Sequence, residues 1–160
     1  MPYFLKIEGI AGDSTDAKHK GEIEVQSFSW GVTQPAPPAA GGGGAAGKAA
    51  FEDLHVVTPF GSAGPRLLEA CATGAHVRSA VLTGRRSGGK AQFEYMTLTL
   101  SDVLVSSYHS SASSADAVIP SDAFSLAYSK LQIEHEAQSP TGAAGASTAG
   151  GFDVTRHKPV

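Results

Sequence analysis

The chain has 160 residues, a formal net charge of −3, 19 glycines and one cysteine. That length fits a single domain that buries roughly 70% of its unfolded surface, enough for a core without covalent staples. No Lys/Arg cluster exceeds "GRRSGGK", which argues against nucleic acid and anionic membrane as partners, and the lone Cys71 excludes an internal disulfide and fits a reducing compartment.

The start, "MPYFLKIEGI", has no basic leader, and its apolar run is too short for a signal peptide. No run of about 18 apolar residues occurs, so no membrane-spanning helix is predicted. Residues 3–9 set Phe4 against Leu5 and Ile7 and predict a strand. Residues 22–34, "EIEVQSFSWGVTQ", change phase: Ile23 and Val25 share one parity, Phe28, Trp30 and Val32 the other. A half-buried strand keeps one parity, because side chains alternate with a period of two. Two explanations are open. A β-bulge re-aims the second half, or that half buries one face in its own core and the other in a partner.

Residues 35–48, "PAPPAAGGGGAAGK", have linker composition and predict a long loop. A strand is predicted over 49–60, carrying Phe51, Leu54, Val56 and Val57. "GPRLLEACATG" predicts a short helix, with Gly64 or Ser62 as cap, Pro65 in the first position and Gly74 as stop. Its apolar stripe is Leu67, Leu68 and Cys71, expected in the core. "HVRSAVLTGRR" and "QFEYMTLTLSDVLVSSY" flank "SGGK" and predict a hairpin. In its second strand Met96, Leu98, Leu100 and Leu104 share one face, and Phe93, Tyr95, Thr97 and Thr99 the other. "DAFSLAYSKLQIEHE" repeats the phase change, from Phe124, Leu126 and Tyr128 to Leu131 and Ile133. Residues 139–150 read as a second low-complexity loop, and "GFDVTRH" as a last strand. The predicted architecture is mainly β, a closed or nearly closed β-barrel with one short flanking α-helix, forming one domain over 1–160.

Chemistry-bearing patterns are weak. Gly42, Gly47 and Lys48 fit G-x-x-x-x-G-K, but Ala49 stands where a phosphate-binding loop needs Ser or Thr, and a strand rather than a helix is predicted next. The six histidines show no metal-ligand spacing. "SSYHSSASSAD" reads as a solvated loop, with no nucleophile elbow anywhere. Cys71 reads as a small apolar residue of the helix stripe. Glu22/Glu24 and Glu134/Glu136 read as the wet face of strands. No catalytic residue, cofactor or metal site is predicted.

The string as a whole resembles the haemolysin-coregulated protein (Hcp) family. That family opens with a strand, then G-I-x-G-E-S-x-D-x-x-H, then a strand ending S-W-G. Gly9, Ile10, Gly12, Ser14, Asp16, His19, Ser29, Trp30 and Gly31 match, and Asp13 replaces the usual Glu. "LLEACATGAHVRSAVLT", "YMTLTLSDVLVSSY", "AYSKLQIEHE" and "GFDVTRHK" resemble later blocks in the same order, with Phe152 where Trp is more usual. The two low-complexity segments, and Gly64 before Pro65, depart from the pattern.

The resemblance implies a β-barrel subunit of a homohexameric ring, not an enzyme. Such rings stack into the inner tube of the type VI secretion system, which works with a spike protein, a contractile sheath and a baseplate. Small effector proteins ride in the lumen. Synthesis in the bacterial cytoplasm without a signal peptide, export to the exterior or into target cells, no membrane insertion and no toxin domain behind the barrel are expected. Two alternatives are a free hexameric ring acting as effector chaperone, and the tube subunit of a related contractile device. Expected ring or stacking contacts are Phe28, Val32, Pro35, Pro37, Gly43, Lys48, Phe93 and Tyr95, with the 35–48 loop reaching toward the next ring. Expected core anchors are Trp30, Leu67, Leu68, Cys71, Leu98 and Leu100.

Overall fold

The computed structural model describes residues 2–35, 47–88, 91–115 and 118–160. Its elements are β1 (Tyr3–Ile7), β2 (Ile23–Val25), β3 (Ser27–Ser29), β4 (Val32–Thr33), β5 (Ala50–Phe51), β6 (Leu54–Pro59), α1 (Ala63–Thr73), β7 (His76–Gly88), β8 (Ala91–Ser111), β9 (Ser121–Gln138), β10 (Ala144–Asp153) and β11 (Lys158–Pro159). The fold is mainly β with one short helix, as expected. The strand order is β11-β10-β9-β8-β7-β1-β2, with β6 bonded to β9 and β3, and with β4 and β5 paired separately. That order is open, so the ladders do not draw a closed barrel.

A change of ladder partner accounts for the phase change in 22–34. β2 pairs with β1, Leu5 opposite Ile23, whereas β3 pairs with β6, Phe28 opposite Val56. The chain bends at Gln26, whose N–H donates to the Val57 carbonyl at 2.8 Å. Ile23 and Val25 are buried, and half-buried Phe28 and Trp30 pack against the same core. One core therefore accepts both parities. In β9, Phe124 and Leu126 lie in the half paired with β6, and Leu131 and Ile133 in the half paired with β10. β8 changes phase as well. Leu98 and Leu100 are fully buried, then Val103 and Val105, with Asp102 between them at φ +52°. Leu104, predicted to share the face of Leu98 and Leu100, is consequently only half-buried.

Helix α1 follows Ser62 and ends at Gly74, whose φ of +66° is the left-handed conformation glycine adopts without cost. Pro65 lies inside the first turn, where no intrahelical donor is lost. Leu67 is fully buried, and Ala70 and Cys71 pack against the core. Leu68 is a correction to the expected core: it is 55% exposed, because a residue one step from Leu67 is turned about 100° away from it. Two loop expectations are also corrected. β8 runs past the predicted end at Tyr108 to Ser111, with His109 opposite Ala123, and Ala144–Asp153 is a strand opposite the end of β9. Backbone pairing to a long neighbour overrides the low strand propensity of "AGASTAGG". The predicted last strand ends at Asp153, where a turn leads to β11.

Candidate functional site

Residues 8–22 form the turn-rich connection between β1 and β2, and it is fastened by charge. Arg85, on β7, donates from Nη1 to Asp16 Oδ1 at 2.9 Å and from Nη2 to Asp16 Oδ2 at 2.6 Å. Such a bidentate pair fixes direction as well as distance. The Arg85 side chain is only 4% exposed, and its hydrogen bonds hold the Asp16 carboxyl well below the usual carboxylate range against the opposing effect of burial. His19 Nδ1 lies 2.7 Å from Glu22 Oε2, and its Nε2 lies 2.7 Å from Glu94 Oε1 on β8. With a proton on each ring nitrogen, both contacts are bonds donated to carboxylates. The imidazole stacks on Phe4 at 4.4 Å, and the Arg85 guanidinium lies 4.9 Å from the same ring. Phe4 thus buries the β1 face opposite Leu5 and Ile7 beneath this clasp.

A second cluster joins β1, β3, β7 and β8. Phe28 meets the Tyr3 ring edge to face at 5.1 Å, and the Tyr95 hydroxyl donates to Tyr3 at 3.2 Å. That bond, with burial, pushes the Tyr95 hydroxyl up. The Arg86 guanidinium lies 5.9 Å from the Phe93 ring and 6.0 Å from the Tyr95 ring. Three expected contact residues, Phe28, Phe93 and Tyr95, are therefore brought together, and all three are half-buried. Gly84 completes the packing, since a Cβ there would lie 3.1 Å from Tyr3 and 3.2 Å from Tyr95.

Val32, Pro35 and Lys48, three of the remaining expected contacts, lie on an arm. Val32 pairs with Phe51 and Thr33 with Ala50. Gln34 donates to the Gly47 carbonyl, and Gly47 lies against Pro35. Val32, Pro35 and Lys48 are exposed here, whereas Pro37 and Gly43 lie outside the described residues. So does Gly42 of the near phosphate-loop pattern, and Lys48 leads into β5 rather than a helix. Among the core anchors, Leu67, Leu98 and Leu100 are fully buried, and Trp30 and Cys71 are half-buried against the core. Among the described residues, no group of three or more His, Cys, Asp or Glu is placed to hold a metal.

A family model described as "Type VI secretion system effector, Hcp" matches residues 4–135. The chain belongs to the Hcp family of type VI secretion. It is 36% identical to "Protein hcp1" of Pseudomonas aeruginosa over 88% of this chain and 86% of that protein. The crystal structure of Hcp1 from Salmonella typhimurium aligns with a TM-score of 0.83 at 31% identity, covering 99% of this chain and 98% of the other. Another solved structure, described as a type six secretion system protein, aligns with a TM-score of 0.92 at 27% identity and covers 99% of each chain. Hcp is a family of secreted structural tube proteins rather than enzymes. No helix of this Hcp protein is long and apolar enough to cross a membrane, among the described residues.

Sequence reasoning missed the clasp. Asp16 and His19 were legible as motif positions, but nothing in the string pairs them with Arg85 and Glu94, some 70 residues away in sequence. The available signal was Phe4, a buried aromatic on the wrong parity of β1. In the sequence Arg86 stands out only as part of a short basic run.

Proposed function

We propose that this Hcp protein is the structural subunit of a type VI inner tube: six copies close into a ring, rings stack, and the lumen carries small effector proteins. The observation that carries this reading is the half-buried aromatic run Phe28–Tyr3–Tyr95 with Arg86 and Phe93 beside it. Aromatic and arginine side chains left partly uncovered at one place are the groups that anchor protein interfaces. A head-to-tail ring contact needs two different surfaces on each copy. The aromatic run supplies one, and the arm of β4 and β5, with Val32, Pro35 and Lys48, reaches toward the next ring. Pro37 and Gly43, which follow Pro35 in the sequence, are proposed for the same contact.

The run from Ile23 to Ser29 is bonded to β1 at one end and to β6 at the other, which supports a nearly closed barrel in one domain. Spike, sheath and baseplate are the partners beyond the copies themselves. The protein is made in the bacterial cytoplasm and exported by the machine.

Electron microscopy of the purified protein, with its mass in solution, tests this reading. Six-fold rings of six times the 16.3 kDa subunit mass, stacked in register, are expected. Rings that never stack would leave a free effector carrier. A stable monomer at high concentration would overturn the assembly.

A further inference from the structure

Asp122 opens β9 as a buried acid, 1% exposed. One carboxylate oxygen, Oδ2, accepts from the Tyr108 hydroxyl at 2.8 Å. The other, Oδ1, is buried without a hydrogen-bond partner. Burial and Asp122 together push the Tyr108 hydroxyl up to about 12, so Tyr108 stays a donor to Oδ2 and offers nothing to Oδ1. A buried acceptor left without a donor is costly, and native folds leave few of them.

Asp122 lines a cavity of about 150 Å³ between the 12–14 turn, β2, the end of β6 and the start of α1. Asp13, Glu24 and Phe60 line it as well, and among the described residues no Lys, Arg or His does. Asp13 is already engaged, accepting from the Ser62 N–H at 2.8 Å and from Ser62 Oγ at 2.6 Å. The positive end of the α1 dipole is thus already met by carboxylates, and a further anion would be repelled. Phe60 is 47% exposed and contributes an aromatic wall. Buried carboxylate, surrounding acids, aromatic wall and small volume together select a compact organic cation.

We propose that this cavity is a binding site for a primary ammonium group on an alkyl stem, with the Asp122 carboxyl as its acceptor and Phe60 flanking it. Two sources carry that chemistry: a lysine side chain of a second copy, and a free amine such as a polyamine. The site stands independently of the tube reading.

The test is ligand-observed saturation-transfer NMR on the protein as purified, with n-butylammonium as the ligand and n-butanol as its neutral counterpart. Butylammonium should saturate with a dissociation constant in the millimolar range, and butanol should bind at least tenfold more weakly. Asp122→Asn keeps an acceptor for Tyr108 but presents no charge, and should weaken butylammonium at least tenfold. Phe60→Leu, at a half-exposed position that folding tolerates, should weaken it several-fold and decides the matter if the Asn variant does not fold. Equal binding of butanol, or butylammonium binding unchanged in the variants, overturns the proposal. Affinity that falls as protein concentration rises assigns the site to a lysine of a neighbouring copy. Affinity independent of concentration assigns it to free amines.

Discussion

Ser129 Oγ donates to Asp102 Oδ2 at 2.7 Å across the β8–β9 ladder, in the row where both strands exchange their buried parity. On the other side His76 Nδ1, from β7, lies 3.0 Å from Asp102 Oδ1. Asp102 holds φ at +52°, a left-handed conformation that few residues besides Gly, Asn and Asp visit. The kink moves the core from Leu100 to Val103 on β8, opposite the move from Leu126 to Leu131 on β9.

Substitutions at this residue should therefore rank by backbone tolerance before contacts. Asp102→Val should lose the most stability, because a β-branched residue is strained at positive φ and also loses both side-chain partners. Asp102→Gly keeps the backbone and loses the partners, so it should fall between Val and wild type. Asp102→Asn should be nearly silent. Urea midpoints for the three variants check the order, and Val no worse than Gly would show that the kink carries no strain.

These residues mark where the sequence is legible and where it is not. The phase change in "EIEVQSFSW" was visible as alternation, but its cause is a change of neighbour at Gln26, and neighbours are not written in a local pattern. Strict alternation from Leu98 puts Leu104 on the buried face, and it fails at the step where Asp102 departs from extended backbone. The helix was readable because Pro65 and Gly74 act locally. β10 was not, because Ala144–Asp153 owes its strand to β9 rather than to its own side chains. Phe28, Phe93 and Tyr95 are scattered in the sequence; Tyr3 of β1 joins Phe28 to Tyr95, and Arg86 of β7 joins Tyr95 to Phe93.

The Asp16–Arg85 pair should show itself in acid. Arg85 lowers the Asp16 carboxyl, so the pair's stabilisation is fully present above the unfolded carboxylate value of about 4 and fades as pH falls through the depressed folded value. Arg85→Met should lower stability near neutral pH, because the variant loses both bonds to the Asp16 carboxylate. The stability gap between wild type and variant should narrow as pH drops below about 4. Urea denaturation at neutral pH and at the lowest pH where both proteins fold measures it. A gap that stays constant would mean that Arg85 acts through packing on Phe4 rather than through its charge.

Adjacent and alternate leucines should separate folding from assembly. Leu100→Ala removes a fully buried side chain in the centre of β8 and should cost about 3 kcal/mol. Leu68→Ala, on the outward side of α1, should change subunit stability by less than about 0.5 kcal/mol. A larger loss for Leu68 in the assembled protein, absent at dilutions where subunits separate, would place the outer face of α1 in a contact between copies.

Excision of residues 36–46 is the sharpest test of the arm. The flanking residues already meet: a Cβ on Gly47 would lie 2.9 Å from Pro35 Cγ, so joining Pro35 directly to Gly47 asks little movement of the β4–β5 pair. The Val32↔Phe51 pair and the core cluster are both built from residues outside the removed segment. The shortened protein should unfold at nearly the wild-type urea midpoint and still form six-fold rings. It should no longer build filaments, because the segment proposed to reach the next ring is gone while the aromatic run proposed to close the ring remains. Filaments of normal length in electron micrographs would show that stacking is made by the ring faces themselves. Loss of rings and filaments together, with the midpoint unchanged, would move the arm from stacking to ring closure.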